Sequence, residues 1–185
     1  MQTEAMLLIA VVLYSYLIGG ITGAYYLVKF YQGKDIRQME SGNAGATNAG
    51  RVLGEKGFVL TIAIDAIKVW IALGITTMLS DGSEAVLSLS TFFLILGHLY
   101  PVQLGFRGGK GIVVYLAAAL FINPFTIVVM GVVMGVLYIS LRRYTIAGFL
   151  AISTIPVTLY VLEQSLVYPV SFAMFFAFIA AIHNK

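Results

Sequence analysis

The chain has 185 residues, 60% of them hydrophobic and 10% charged, with a mean hydropathy of +0.96. A soluble domain carries roughly 25% charged residues, so this much apolar surface calls for a bilayer, and the length sets a single domain, 1–185, as the expectation. The net charge is +3, no run of Lys or Arg exceeds two residues and there is no cysteine, which excludes a nucleic-acid footprint, disulfides, thiolate metal sites and cysteine nucleophiles.

The first apolar run, Ala5 to Val28, reads as a span. It is too long for a signal peptide, Glu4 precedes it in place of a basic segment, and no small-residue cleavage site follows. A spanning helix takes about 20 apolar residues. Charges set the next candidates at 58–79, 86–104, 112–141, 144–162 and 166–182. Asn123-Pro124 lies inside 112–141. Proline removes a donor and disfavours helix in the residue before it, so this stretch divides into 112–122 and 125–141.

Basic residues orient the spans. Lys29, Lys34, Arg37, Arg51 and Lys56 lie in 29–57, Arg107 and Lys110 in 105–111, and Arg142, Arg143 and Lys185 follow. The opposite ends carry Glu4, Asp81, Glu84 and Glu163. The expected fold is all-α: a polytopic membrane bundle of seven helices, the fourth too short to cross alone, with the N-terminus outside and the C-terminus cytoplasmic. Gly19 and Gly23, and Gly131 and Gly135, are four apart, a spacing that lets helix backbones approach in lipid. No inverted repeat is visible, which counts weakly against a secondary transporter.

Two of the basic segments carry more than a connector needs. Residues 41–51, from Ser41 through Asn43, Thr47 and Asn48 to Arg51, combine hydrogen-bonding side chains with glycines that let a ligand reach the backbone. Arg51 can fork onto a phosphate or carboxylate. A flexible loop capping the next helix is the alternative. Residues 105–111 place Gly108, Gly109, Lys110 and Gly111 just before a helix start. Successive N–H groups in a glycine turn form an anion nest, and a helix N-terminus adds donors. A nucleotide loop requires Ser or Thr after its Lys, and Gly111 stands there, so phosphate binding without nucleotide hydrolysis is expected. A basic membrane-surface loop is the alternative here.

Inside the spans, Asp65 and Lys68 are three apart on one helix face, a pairing distance. Intramembrane charges mark function or a structural pair. His98 and His183 are the only histidines. An imidazole metal site would need carboxylates as well, and no metal is expected. His98 reads as an interior histidine, and His183 as a residue at the end of the last helix.

Together these motifs resemble the bacterial acyl-phosphate:glycerol-3-phosphate acyltransferases, the PlsY-type family, over nearly the whole chain. Ser41-Gly42-Asn43, Gly45, Thr47-Asn48 and Arg51 match the family's first motif. Gly97-His98, Pro101 and Phe106 through Gly111 match the second, with Arg107 where Lys is commoner. Asp65 and Lys68 fall where the family has an acidic and a basic residue. His183 matches the histidine of a third motif, whose asparagine would fall three residues on, past Lys185. Glu40 stands where glycine is usual.

The resemblance implies an enzyme of the bacterial inner membrane, with its site facing the cytoplasm. It would transfer a fatty acyl group from acyl phosphate to the 1-hydroxyl of glycerol 3-phosphate, giving lysophosphatidic acid and phosphate, an early step of phospholipid synthesis. The implied catalytic residues are Ser41, Arg51, Lys110 and His183. Gly108, Gly109, Lys110 and Gly111 would hold the donor phosphate, and Arg51 with Lys110 that of glycerol 3-phosphate. Ser41, Asn43 and Asn48 would orient the hydroxyl, and Thr47 and His98 complete the substrate-binding set. No cofactor is expected, because acyl phosphate is already activated. Membrane lipids and the peripheral enzyme that makes acyl phosphate are the implied partners, and nucleic acid is not. A transporter for a phosphorylated anion and an inactive membrane interaction protein are the competing readings.

Overall fold

The computed structural model describes residues 2–183, the side chain of His183 excepted. Their regular elements are all helical. They form two compact units, Met1–Ala117 and Ala118–Lys185. Gln2–Gln32, Glu55–Leu79, Glu84–Leu104 and Tyr144–Glu163 are each long and apolar enough to cross a membrane. Ile112–Ile122, Phe125–Leu141 and Val167–Ile182 are apolar but shorter.

The first unit contains α1 (Gln2–Gly19), α2 (Gly23–Gln32), α3 (Ala46–Leu53), α4 (Glu55–Leu79), α5 (Glu84–Leu99) and the first part of α6 (Ile112–Ile122). The span expected at 5–28 is thus not one helix. It breaks at residues 20–22, where Thr22 is extended (φ −92°, ψ 110°). Glycine sets the packing here. A Cβ on Gly19 would run into the backbone of Leu94, and one on Gly97 into the carbonyl of Tyr16. The backbones of α1 and α5 therefore touch, as small residues permit in lipid. Gly23 sits in the same way against Ile64 of α4.

A polar seam joins these helices. Ser15 bonds Ser90 (2.8 Å), Ser90 bonds Thr76 (3.0 Å), and Thr76 bonds Tyr14 (2.5 Å). A hydroxyl facing hydrocarbon has no water to bond, so each finds a partner on another helix.

The second unit holds the rest of α6, then α7 (Phe125–Leu141), α8 (Tyr144–Ile152), α9 (Thr154–Glu163) and α10 (Val167–His183). The division at Asn123-Pro124 falls where proline predicts it. Asn123 Oδ1 accepts from the Phe125 N–H (3.0 Å), and its Nδ2 donates to Glu163 Oε1 (2.7 Å). The expected span 144–162 is broken as well, at Ser153. Pro156 is the third residue of α9, and its ring would clash with the carbonyl four residues back. Gly131 and Gly135 do not serve the close approach expected of them: among the described residues nothing lies within 4 Å of where their Cβ atoms would be.

Candidate active site

The segment 33–54 is a built structure on a small core. Ala24 and Val28 of α2 pack with Ile36, Ala44 and Ala49, and Tyr25, Met39, Val52 and Leu53 close around them. This core explains α3, a helix that local sequence argues against. Glycine and asparagine are poor helix formers, yet burial of Ala46 and Ala49 holds the turn. Gly45 caps it in extended conformation, accepting from the Asn48 and Ala49 N–H groups (3.1 and 3.0 Å). Arg51 lies in its last turn, exposed. Ser41 and Thr47 are exposed and Asn43 half-buried.

Asn48 was expected to orient substrate. It is 1% exposed, and its amide is spent on the backbone. Nδ2 donates to the carbonyls of Ile36 (3.3 Å) and Met39 (3.1 Å), and Oδ1 accepts from the Ser41 N–H (3.2 Å). It shapes the loop that presents Ser41. The turn before Ser41 is tight, with Glu40 at φ +49° and Gly42 at φ +71°. Glu40 thus occupies a left-handed position that suits the glycine usual there. Glu40→Gly is expected to stabilise the protein by up to about 1 kcal/mol, since relief of the side chain is partly offset by a freer unfolded glycine. Thermal unfolding in detergent measures this.

The second segment is shaped by the end of α5. After Pro101 and a single 3-10 turn (Val102–Leu104), Gly105 and Phe106 are both left-handed (φ +62° and +60°). The chain doubles back across the helix end. The Gly108 N–H donates to the Leu99 carbonyl and the Gly109 N–H to the His98 carbonyl, both at 3.0 Å. These are carbonyls that a helix terminus leaves unpaired. The nest expected over 108–111 is therefore narrower, because the Gly108 and Gly109 donors are already used. Lys110, Gly111 (φ +79°) and the first-turn N–H groups of α6 are what remains of it.

The two segments are bonded to each other. The Ala44 N–H donates to the Gly108 carbonyl (3.3 Å). Arg37 Nη1 donates to the Leu104 carbonyl. The rest of that guanidinium forks onto Asp35, with Nε at 2.9 Å from Oδ1 and Nη2 at 2.6 Å from Oδ2, and it lies 5.2 Å from the Tyr25 ring centre. Sequence reading used Arg37 only as an orienting charge, because its partner Leu104 is distant in the chain.

The Arg37 hydrogen bond holds the Asp35 carboxyl below its ordinary value, against a smaller opposing effect of burial. A lowered carboxyl pKa means stabilisation that is complete above the ordinary 3.8 and lost as pH falls through the lowered value. The wild type should therefore melt above Asp35→Asn near neutrality, and the two should converge in acid.

Beneath the second segment, Asp65 and Lys68 pair at 2.7 Å. Lys68 Nζ also lies 2.9 Å from His98 Nδ1. His98 is 3% exposed, and its Nε2 occupies the space that a Cβ on Gly109 would need. With one ring nitrogen on Lys68 and the other against Gly109, His98 is placed under the loop. His183 ends α10, and its side chain lies outside the described residues. No group of three or more metal-binding side chains occurs among the described residues.

Comparison with known proteins identifies a family. The family model described as glycerol-3-phosphate acyltransferase matches residues 9–185. "Glycerol-3-phosphate acyltransferase 1" of Desulfitobacterium hafniense is 37% identical over 190 residues, covering 100% of this chain and 91% of that protein. The Agrobacterium fabrum glycerol-3-phosphate acyltransferase is 37% identical over 161 residues, 87% of this chain and 78% of that one. Among solved structures, the integral membrane acyltransferase PlsY in its glycerol 3-phosphate form superposes with a TM-score of 0.84 at 31% identity, covering 96% of this chain and 88% of that one. Its lysophosphatidic acid form gives 0.81 at 29%, covering 95% and 87%. The chain, a multi-pass integral membrane protein, belongs to the glycerol-3-phosphate acyltransferase family.

Proposed function

We propose that this acyltransferase moves a fatty acyl group from acyl phosphate to the 1-hydroxyl of glycerol 3-phosphate. The observation that carries this reading is the direct bonding of the two loops through Ala44 to Gly108 and Arg37 to Leu104. Two anion-binding segments held side by side suit a reaction between two phosphate-bearing substrates. PlsY is known in a glycerol 3-phosphate form and a lysophosphatidic acid form, an acceptor and a product of the same chemistry.

In this reading Arg51 forks onto the glycerol 3-phosphate phosphate. Lys110 and the α6 N-terminus hold the donor phosphate, with Gly108, Gly109 and Gly111 allowing close approach. Ser41, Asn43 and Thr47 line the acceptor side. The hydroxyl oxygen attacks the donor carbonyl carbon. The new ester C–O bond forms, the C–O bond to phosphate breaks, and phosphate leaves with both electrons. Positive charge at Lys110 stabilises the phosphate as it leaves. The hydroxyl proton passes to His183 or to the donor phosphate. Direct attack is favoured over a Ser–His relay because His98 turns Nδ1 to Lys68 and Nε2 toward Gly109. A covalent acyl-enzyme trapped on Ser41 would defeat it.

The excess of basic residues in these loops favours a site on the cytoplasmic face of a bacterial inner membrane. The chain acts there as one catalytic domain of seven membrane segments, N-terminus outside and C-terminus inside. A peripheral enzyme that makes acyl phosphate would deliver the donor.

The test is product formation in detergent with glycerol 3-phosphate and either palmitoyl phosphate or palmitoyl-CoA. Lysophosphatidic acid from the phosphate donor alone is expected. Product from the CoA thioester alone would overturn the donor assignment, and product from neither would overturn the acyl-transfer reading.

A further inference from the structure

The break in the first span exposes backbone groups that lipid cannot satisfy. The carbonyls of Gly19 and Ile21 lose their helical partners there, and so does the Gly23 N–H at the start of α2. A side chain of α4 meets each of them. Lys68 Nζ donates to Gly19 O (3.1 Å) and Ile21 O (2.5 Å), and Asp65 Oδ1 accepts from the Gly23 N–H (3.1 Å). Asp65 and Lys68 are 1% and 5% exposed. The ammonium occupies the position that a bound cation takes at an unwound helix.

This cluster extends to the catalytic face. The third side-chain partner of interest is His98, whose Nδ1 lies 2.9 Å from Lys68 Nζ. The carbonyls of His98 and Leu99 receive the Gly109 and Gly108 N–H groups, and the Gly108 carbonyl receives the Ala44 N–H. Gly109 itself is pressed between His98 Nε2 and the Ala44 carbonyl, with no room for a Cβ. An unbroken path of contacts thus runs from the broken helix through Asp65, Lys68 and His98 to the junction of the two loops.

We infer that Asp65, Lys68 and His98 are positioning residues, in which the Lys68 ammonium acts as a built-in cation at the helix break and, through His98, fixes the height of Gly108–Gly109 against Ala44. A pair that merely held helices together would need no third partner under the loop. It would also leave Gly109 indifferent to what stands at position 98. The catalytic consequence rests on the acyltransferase reading, whereas the placement of the loop does not.

Hydrogen exchange in detergent tests the placement without using activity. In Lys68→Met, a similar shape without the charge, the Gly108 and Gly109 amides should exchange at least about tenfold faster, because their opening is local. Exchange in α7 should be unchanged. Unaltered exchange at Gly108 and Gly109 overturns the inference. If Lys68→Met does not fold, His98→Asn supplies the second variant, since its amide oxygen can still accept from Lys68 while space opens beside Gly109. Gly109→Ala should then cost at least about tenfold less in kcat/KM on the His98→Asn background than alone. Losses that simply multiply overturn the inference while leaving the acyl-transfer reading intact. An inactive wild type with faster exchange in Lys68→Met supports the placement and removes only the catalytic reading.

Discussion

Lys110→Ala is expected to lower kcat by about 10² to 10³, with a smaller change in the KM for glycerol 3-phosphate. The proposed role is to meet charge that grows as phosphate leaves, and deletion of one such stabiliser costs a factor of that order. Arg51→Ala should behave differently. Its fork holds the acceptor's phosphate before and during reaction, so its loss removes binding that ground and transition states share. A charge-assisted contact contributes about 1.5–3 kcal/mol, which is roughly 10- to 100-fold in KM. Arg51→Lys should recover part of this, because a point charge replaces the fork. Steady-state kinetics with palmitoyl phosphate, varying each substrate in turn, separates the two roles. If Arg51→Ala lowers kcat and Lys110→Ala raises only KM, the two phosphates must be exchanged in the mechanism. If neither variant differs from wild type, the site lies elsewhere.

How much of this was legible in the sequence depends on the range of the interactions. The α6–α7 boundary was readable because Pro124 acts on its neighbours through its own ring. Pro156 is the same kind of signal, and it accounts for the break at Ser153 that hydropathy alone smooths over. The break at residues 20–22 has no local proline. It is stabilised by Asp65 and Lys68, more than forty residues on, whose pairing was foreseen while their backbone partners were not. Helix α3 was missed for a similar reason: its stability comes from Ala49 packing with Val28 and Ile36, and its own Gly50 opposes it.

The candidate site shows the same division. The residue types in the two loops pointed to phosphate chemistry, while their bonding to each other was not readable. The direction of individual N–H groups was not readable, because it depends on where α5 ends. Gly108 and Gly109 turn their donors toward the carbonyls of Leu99 and His98, which a linear view of a glycine turn cannot reveal. Glu40 is a third case. A departure from the family pattern became intelligible as a left-handed residue once its φ of +49° was known.

Asn48 offers the sharpest test of that division, because structure and motif assign it different work. If its amide holds the loop, Asn48→Ala removes the partner of the Ser41 N–H and the second donor to the Ile36 and Met39 carbonyls, which keep the Met39 and Gly42 N–H groups. Three hydrogen bonds are lost at about 0.5–1.5 kcal/mol each, so a loss of roughly 2–4 kcal/mol is expected. Asn48→Asp should be worse than alanine near neutrality. A carboxylate oxygen would then face the two carbonyls that now accept hydrogen bonds, and a buried charge would go unpaired. Acid should narrow the gap, since a protonated carboxyl regains one donor. In the alanine variant Ser41 loses its backbone anchor, so the KM for glycerol 3-phosphate should rise together with the loss of stability. Thermal unfolding across pH and acceptor kinetics on the same preparations measure both. A variant that melts with the wild type, yet binds glycerol 3-phosphate poorly, would put the Asn48 amide on the substrate and return the residue to the role its motif first implied.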